Sequence, residues 1–163
     1  MSQKTALVIS AHAADFVWRC GGAIALHKKR GYDVTIVCLS YGERGESAKL
    51  WKQGKSLDQV KSIRRSEAEN AAAILQAHDI QFFDLGDYPL VVDQAAKFRL
   101  ADLMRSVNPE FIMSNSSYDP YNVDHMNTTS VEGHDETNDT WCHGVRVHLN
   151  GGNKVLFHQN KAG

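Results

Sequence analysis

Residues 5–40, TALVISAHAADFVWRCGGAIALHKKRGYDVTIVCLS, carry the pattern that decides the fold. Thr5–Ser10 (TALVIS) is a short, continuous run rich in branched apolar residues, as expected of a strand buried on both faces. After a turn, Val17–Arg30 reads as a helix, with Gly31 in the position favoured just past a helix C-terminus. Asp33–Ser40 (DVTIVCLS) is a second buried strand. Strand, helix and strand in this order make one βαβ unit, and the unit repeats downstream. Tyr41–Ser56, polar and with glycines at 42, 45 and 54, reads as a long loop. Leu57–His78 is an Ala-rich helix with apolar residues at 60, 63, 71, 74 and 75 on roughly one face. Ile80–Asp84 is a third strand, broken by Gly86-Asp87-Tyr88-Pro89. Asp93 caps a helix running to about Val107, Pro109 stops it, and Phe111–Ser114 begins a fourth strand. The alternation predicts a Rossmann-like three-layer α/β sandwich with a mainly parallel sheet.

Ligands of such sheets lie beyond the carboxyl ends of the strands. Those ends are Ser10–Arg19, Leu39–Ser47, Leu85–Pro89 and Asn115–His125, and the ionisable residues of interest fall in them. His12 and Asp15, three apart directly after a buried strand, can turn toward one ion; alternatively Asp15 caps the helix and His12 is a polar loop residue. His125, beside Asp124 in the loop of the fourth strand, can complete a three-ligand site that leaves positions for water or substrate. In Gly42-Glu43-Arg44-Gly45-Glu46-Ser47, two carboxylates and an arginine between glycines suit acid–base work on a small molecule, or form a solvated flexible loop. Arg64 and Arg65 either pair along a solvent face with residues such as Glu67 or reach a substrate carboxylate. Asp87 reads as a turn residue, and His134, His143, His148 and His158 lack the spacing of a zinc module. The glycine pair at 21–22 lacks GxGxxG spacing, and there is no GxxxxGK[ST] loop or CxxC pair.

Composition narrows the classes. The 163 residues have room for one ordinary domain, and 42% hydrophobic with 23% charged residues is globular. Eighteen Lys+Arg against nineteen Asp+Glu leave a net charge of −1, with no basic excess for a nucleic acid. No apolar run is long enough for a bilayer, and the apolar run before His12 is too short for a secretory signal. Three sparse cysteines (Cys20, Cys38, Cys142) fit a reducing compartment. A cytoplasmic protein with no nucleic-acid or membrane partner is expected, and a homo-oligomer is compatible with this composition.

Together the motifs resemble the LmbE-like, or PIG-L, superfamily of zinc-dependent enzymes, best known as N-acetylglucosamine de-N-acetylases. The resemblance covers roughly residues 4–130. It rests on the strand followed by Ala11-His12-Ala13-Ala14-Asp15, the GG helix, the GERG loop, Arg64-Arg65-Ser66-Glu67-Ala68, the GDYP turn and Asp124-His125. It implies Zn²⁺ held by His12, Asp15 and His125. Two positions depart from the deacetylases. Their general base, the first Asp of AHPDD, is replaced by Ala14, and the first His of HPDH, which steadies the oxyanion, by Asn122. The stretches AHAADFVWRCGGAIALH, GERGESAKLW and DPYNVDH are instead similar to the branch that hydrates 4-oxalomesaconate in gallate and protocatechuate breakdown. That branch implies a small polycarboxylate substrate, with Glu46, Glu43 and Asp124 as candidate catalytic residues. Arg44, Arg64, Arg65, Asn122 and Arg19 would meet the substrate. A de-N-acetylase on an N-acetylglucosamine-containing substrate and an inactive remnant that still binds zinc are the competing expectations.

The last residues read differently. Residues 1–130 are expected to form an incomplete α/β domain of this type, and residues 131–163 a divergent, poorly ordered tail with one weak hairpin around Gly151-Gly152.

Overall fold

The computed structural model describes residues 3–87 and 89–114 and the backbone of Lys154–Val155. Their elements are β1 (Thr5–Ser10), α1 (Asp15–Lys29), β2 (Asp33–Cys38), α2 (Ala48–Lys52), α3 (Leu57–Ile74), β3 (Asp79–Phe82), α4 (Gln94–Val107), β4 (Phe111–Ser114) and β5 (Lys154–Val155). The sheet order is β3-β2-β1-β4-β5 and every pairing is parallel. Strand β1 therefore sits between β2 and β4, where the winding of the chain reverses direction. The crevice beyond its carboxyl end is the place such a sheet offers a ligand.

Both faces of the sheet are covered, which is why the strands read as unbroken apolar runs. On one side Ala6, Val8, Val34, Ile36, Phe111 and Met113 pack with Phe16 and Ile24 of α1 and Ala68 and Ala72 of α3. On the other, Leu7, Ile9, Val37 and Ile112 pack with Ala96, Leu100, Leu103 and Met104 of α4. Alternate residues of one strand thus feed two cores. The expected three-layer α/β sandwich is what forms.

Several boundaries differ from expectation. Helix α1 begins at Asp15, two residues before Val17, because Ser10 Oγ accepts the Phe16 N–H (3.0 Å) and donates to the His12 carbonyl (2.7 Å), closing the turn early. Its C-terminus behaves as read: Gly31 takes φ +81°, with Tyr32 N–H on the His27 carbonyl and Gly31 N–H on that of Lys28. The expected loop 41–56 contains the short helix α2. Helix α3 is opened by a capping box between Ser56 and Gln59 and ends at Ile74 rather than His78, since Gln76 adopts φ +60°. Strand β3 starts at Asp79 and ends at Phe82. Asp93 caps α4 through the Ala96 N–H (2.8 Å), and Asn108 ends it in the left-handed conformation. Strand β5 runs parallel to β4. Gly151 and Gly152, and with them the hairpin expected there, lie outside the described residues.

Candidate metal centre

His12 and Asp15 stand where the strand β1 core ends and α1 begins, and both are buried. His12 Nδ1 lies 3.3 Å from Asp15 Oδ2, and that oxygen also accepts the His12 backbone N–H at 3.0 Å. Glu46 Oε1 approaches the same Nδ1 to 3.9 Å. On the opposite side of the ring, His12 Nε2 faces Asp87 Oδ1 at 3.3 Å. One imidazole is thus ringed by three carboxylates, from the first residue of α1 and from the loops after β2 and β3, all beyond strand ends. Asp15 does not cap α1 with its side chain; the N-cap is Ala14.

The loop bearing Glu46 is built rather than loose. Ser40 Oγ bridges the Ala11 carbonyl (3.1 Å) and the Gly42 N–H (3.2 Å), and Ser47 Oγ donates to the Gly42 carbonyl at 2.9 Å. Glu43 is buried inside it, its Oε2 accepting the Tyr41 N–H at 3.1 Å and its carbonyl accepting Trp51 Nε1–H at 2.6 Å. Gly42, at φ +67°, passes so close to Glu46 that a Cβ there would stand 2.6 Å from Glu46 Oε2. Arg64 grips that same oxygen through Nη2 (3.0 Å), and also holds Glu67 (2.8 Å) and the Tyr41 carbonyl (3.3 Å).

Asp87 is the residue that sequence reasoning set aside as a turn. Its side chain is fully buried, and its Oδ2 accepts the N–H groups of Arg44 (3.0 Å) and Gly45 (3.3 Å). Of the other candidates, Arg19 reaches Asp15 Oδ1 at 3.6 Å, and the Arg44 guanidinium lies over the Trp51 ring. Arg65 turns to Glu69 along its own helix and packs over Phe82. Asn122, Asp124 and His125 lie outside the described residues.

The electrostatics follow from burial among charges. Burial pushes the His12 imidazole down, but its hydrogen bonds and attraction to Asp15 and Asp87, with Glu46 behind, lift it to about 10. Burial pushes Asp15 and Asp87 up, yet the His12 contacts hold both below the usual carboxylate range. Glu46 goes the other way: burial and the Asp15 charge raise it, outweighing His12 and Arg64. A site that concentrates this much negative charge around one imidazole calls for a cation.

The donor set fits a divalent metal. His12, Asp15 and Glu46 each offer a ligand atom, all within 4.8 Å of one another. Two donors at zinc distances from one tetrahedral ion stand roughly 3.3–3.4 Å apart, and the His12 Nδ1–Asp15 Oδ2 distance is 3.3 Å. That separation suits co-ligands, and Nδ1, unlike Nε2, is approached by two carboxylates. Glu46, at 3.9 Å and restrained by Arg64, stands outside that separation.

The chain is 60% identical over 124 residues to a 4-oxalmesaconate hydratase of Pseudomonas putida, covering 76% of this chain and 48% of that protein. It superposes on the crystal structure of GalB, the 4-carboxy-2-hydroxymuconate hydratase of Pseudomonas putida KT2440, with a TM-score of 0.71 at 58% identity, covering 76% of this chain and 52% of that one. An N,N'-diacetylchitobiose deacetylase from Pyrococcus horikoshii matches with a TM-score of 0.67 at 27% identity, over 77% of this chain and 46% of that one. The chain spans about half the length of these relatives. The PIG-L family, described as GlcNAc-PI de-N-acetylase, matches residues 7–132, most of the sequence, and the chain belongs to that family.

Proposed function

We propose that this chain carries the site of a zinc-dependent hydro-lyase that adds water to 4-oxalomesaconate, giving 4-carboxy-4-hydroxy-2-oxoadipate, in gallate and protocatechuate catabolism. The observation that carries the reading is the pairing of a protonatable carboxyl, Glu46, with the metal-type cluster of His12 and Asp15, while Ala14 offers no base for amide hydrolysis. The hydratase likeness, at 60% identity in sequence and 58% in the superposed structure, supports the same reaction class.

His12, Asp15 and, later in the sequence than β4, His125 would hold the metal. When bound, Zn²⁺ supplies polarisation of a substrate oxygen and a bound water of lowered pKa. The remaining chemistry belongs to side chains. Hydration breaks the alkene π bond and one O–H bond of water and forms one C–O and one C–H bond, so a proton must reach the carbon adjacent to the one that takes the hydroxyl. Glu46 suits that transfer because its raised carboxyl can hold a proton, and Arg64 fixes Oε2 so that Oε1 faces the cluster. Glu43, committed to the Tyr41 N–H, shapes the loop; Asp124 remains the other candidate for handling a proton. Arg44 and Arg19 would neutralise substrate carboxylates, with Asn122 as a neutral contact. Arg64 would act chiefly through Glu46, and Arg65, turned to Glu69, only by releasing it. The two described thiols, Cys20 and Cys38, are free, in keeping with a cytoplasmic enzyme. No described helix is long and apolar enough to cross a membrane.

The test is the zinc-loaded chain offered 4-oxalomesaconate and, separately, N,N'-diacetylchitobiose. Loss of the conjugated substrate with formation of the hydroxy acid is expected, with no acetate released. Acetate release without hydration would replace this reading with a deacetylase, and bound zinc with neither reaction would mark a non-catalytic remnant.

A further inference from the structure

Two buried polar atoms, His12 Nε2 and Asp87 Oδ1, have no hydrogen-bond partner in good geometry, yet they face one another at 3.3 Å. His12 is 3% exposed and the Asp87 side chain not at all, so no solvent stands in for a partner on either. An imidazole and a carboxylate left together in this way match only if Nε2 carries a hydrogen for Oδ1 to accept. The other ring nitrogen, Nδ1, is the one that Asp15 and Glu46 approach. The second oxygen of Asp87 is meanwhile anchored by the backbone N–H groups of Arg44 and Gly45.

We infer that Asp87 is a positioning residue for the metal centre: it holds His12 as the Nε2–H tautomer, so that the Nδ1 lone pair faces the ion. Through Oδ2 it also ties that ligand to the loop that presents Arg44 and Glu46. The physical basis is general. A metal-binding imidazole needs its ring orientation and tautomer set by the hydrogen bond on its far nitrogen, and a carboxylate there makes the near nitrogen a better donor. Asp87 meets the requirement from β3's loop, and its two backbone anchors leave it little freedom to turn away. The link also gives the loop a route to feel whether the ligand is in place, because Arg44, Gly45 and His12 share one carboxylate. The inference rests on the proposed metal site and not on the identity of the substrate.

The test uses the whole chain loaded with Zn²⁺ and, for spectroscopy, Co²⁺. Asp87→Ala and Asp87→Asn are compared with the unaltered protein by competition against a chelator and by imidazole ¹⁵N NMR of His12. Asp87→Ala is expected to weaken metal binding about 10–100-fold. Asp87→Asn should be no better, because keeping two oxygen-to-N–H anchors turns its amide nitrogen toward Nε2, a donor facing a donor. In the unaltered metal-bound protein the NMR signature should be Nε2–H with Nδ1 on the metal. The Co²⁺ absorption band should shift in both variants, which a merely structural loss would not produce in the folded fraction. Should the variants fail to fold, the NMR of the unaltered protein still decides: an Nδ1–H tautomer, or metal on Nε2, overturns the inference. So does unchanged affinity in both folded variants, or a chain that binds no metal. If metal and tautomer behave as stated but 4-oxalomesaconate is not hydrated, the hydratase reading falls and the role of Asp87 stands.

Discussion

Replacing Glu46 by Gln and Asp15 by Asn separates a proton carrier from a metal ligand, because the two carboxylates stand at different distances from the same nitrogen. Asp15 Oδ2, 3.3 Å from His12 Nδ1, is at the spacing of two donors on one tetrahedral ion, roughly 3.3–3.4 Å for bonds near 2.0–2.1 Å. Glu46 Oε1, at 3.9 Å, is about half an ångström too far, and Arg64 at 3.0 Å pulls its other oxygen away. Asp15→Asn should therefore cost at least about 10–100-fold in zinc affinity, whereas Glu46→Gln should change it by no more than about threefold. The amide of Gln still accepts from Arg64, and the lost ion pair is partly exposed, so stability should move by only about 0–1 kcal/mol. Turnover of 4-oxalomesaconate should nevertheless drop about 10²–10⁴-fold, since an amide cannot cycle a proton. Zinc is read by metal analysis after dialysis against a graded chelator, and turnover by loss of the substrate chromophore. If Glu46→Gln loses zinc as readily as Asp15→Asn, Glu46 is a ligand and the distance argument is refuted.

Gly42→Ala should impair the same step without touching a charged group, as the new methyl at φ +67° would stand 2.6 Å from Glu46 Oε2. Reduced turnover with retained zinc is expected, and normal kinetics would mean that Glu46 is not held where this contact requires. In the metal-free protein, nearby carboxylates overcome burial and raise His12 to about 10, so the charged ring stabilises the fold fully below about pH 6.5 and that stability is lost as pH rises toward 10. The urea midpoint of chelator-treated protein should fall across that window relative to His12→Gln, and parallel profiles would exclude the effect. Burial, helped by the Asp15 charge, pushes the Cys20 thiol up to about 12, so alkylation at pH 8 should be about a thousandfold slower than for an exposed thiol. Rapid labelling of Cys20 in the native protein, followed by mass spectrometry, would contradict the raised thiol of this partly buried residue.

Much of the molecule was legible locally. TALVIS, DVTIVCLS and FIMS announce strands with two buried faces, and the observed cores divide alternate residues of β1 and β2 between the two helical layers. Gly31 and Asp93 are end signals whose chemistry acts within one helical turn, and both behave as their residue types demand. The misses have equally local causes. Helix α2 is too short to show a period, and α3 stops on Gln76, a residue that carries no warning of a left-handed backbone. The start of α1 was displaced by Ser10, whose hydroxyl serves a turn that no spacing rule describes.

The site divides the same way. His12 and Asp15 could be paired from sequence because three residues after a strand end keep them within one turn, and Glu46 could be nominated because its loop leaves the next strand on the same sheet edge. Asp87 could not. Its role depends on β3 lying beside β2, on a loop folding back over the strand ends, and on water being excluded from both His12 Nε2 and Asp87 Oδ1. The GERG loop, open in sequence between acid–base work and a solvated segment, is tied down by Ser40, Ser47 and the buried Glu43. Residue type and local period determined the strands, the helices and which loops face the ligand edge, because those depend on neighbours along the chain. How the three carboxylates stand around His12 was decided only by tertiary structure, because burial and distances of a few ångströms between segments remote in sequence set the surroundings of each group.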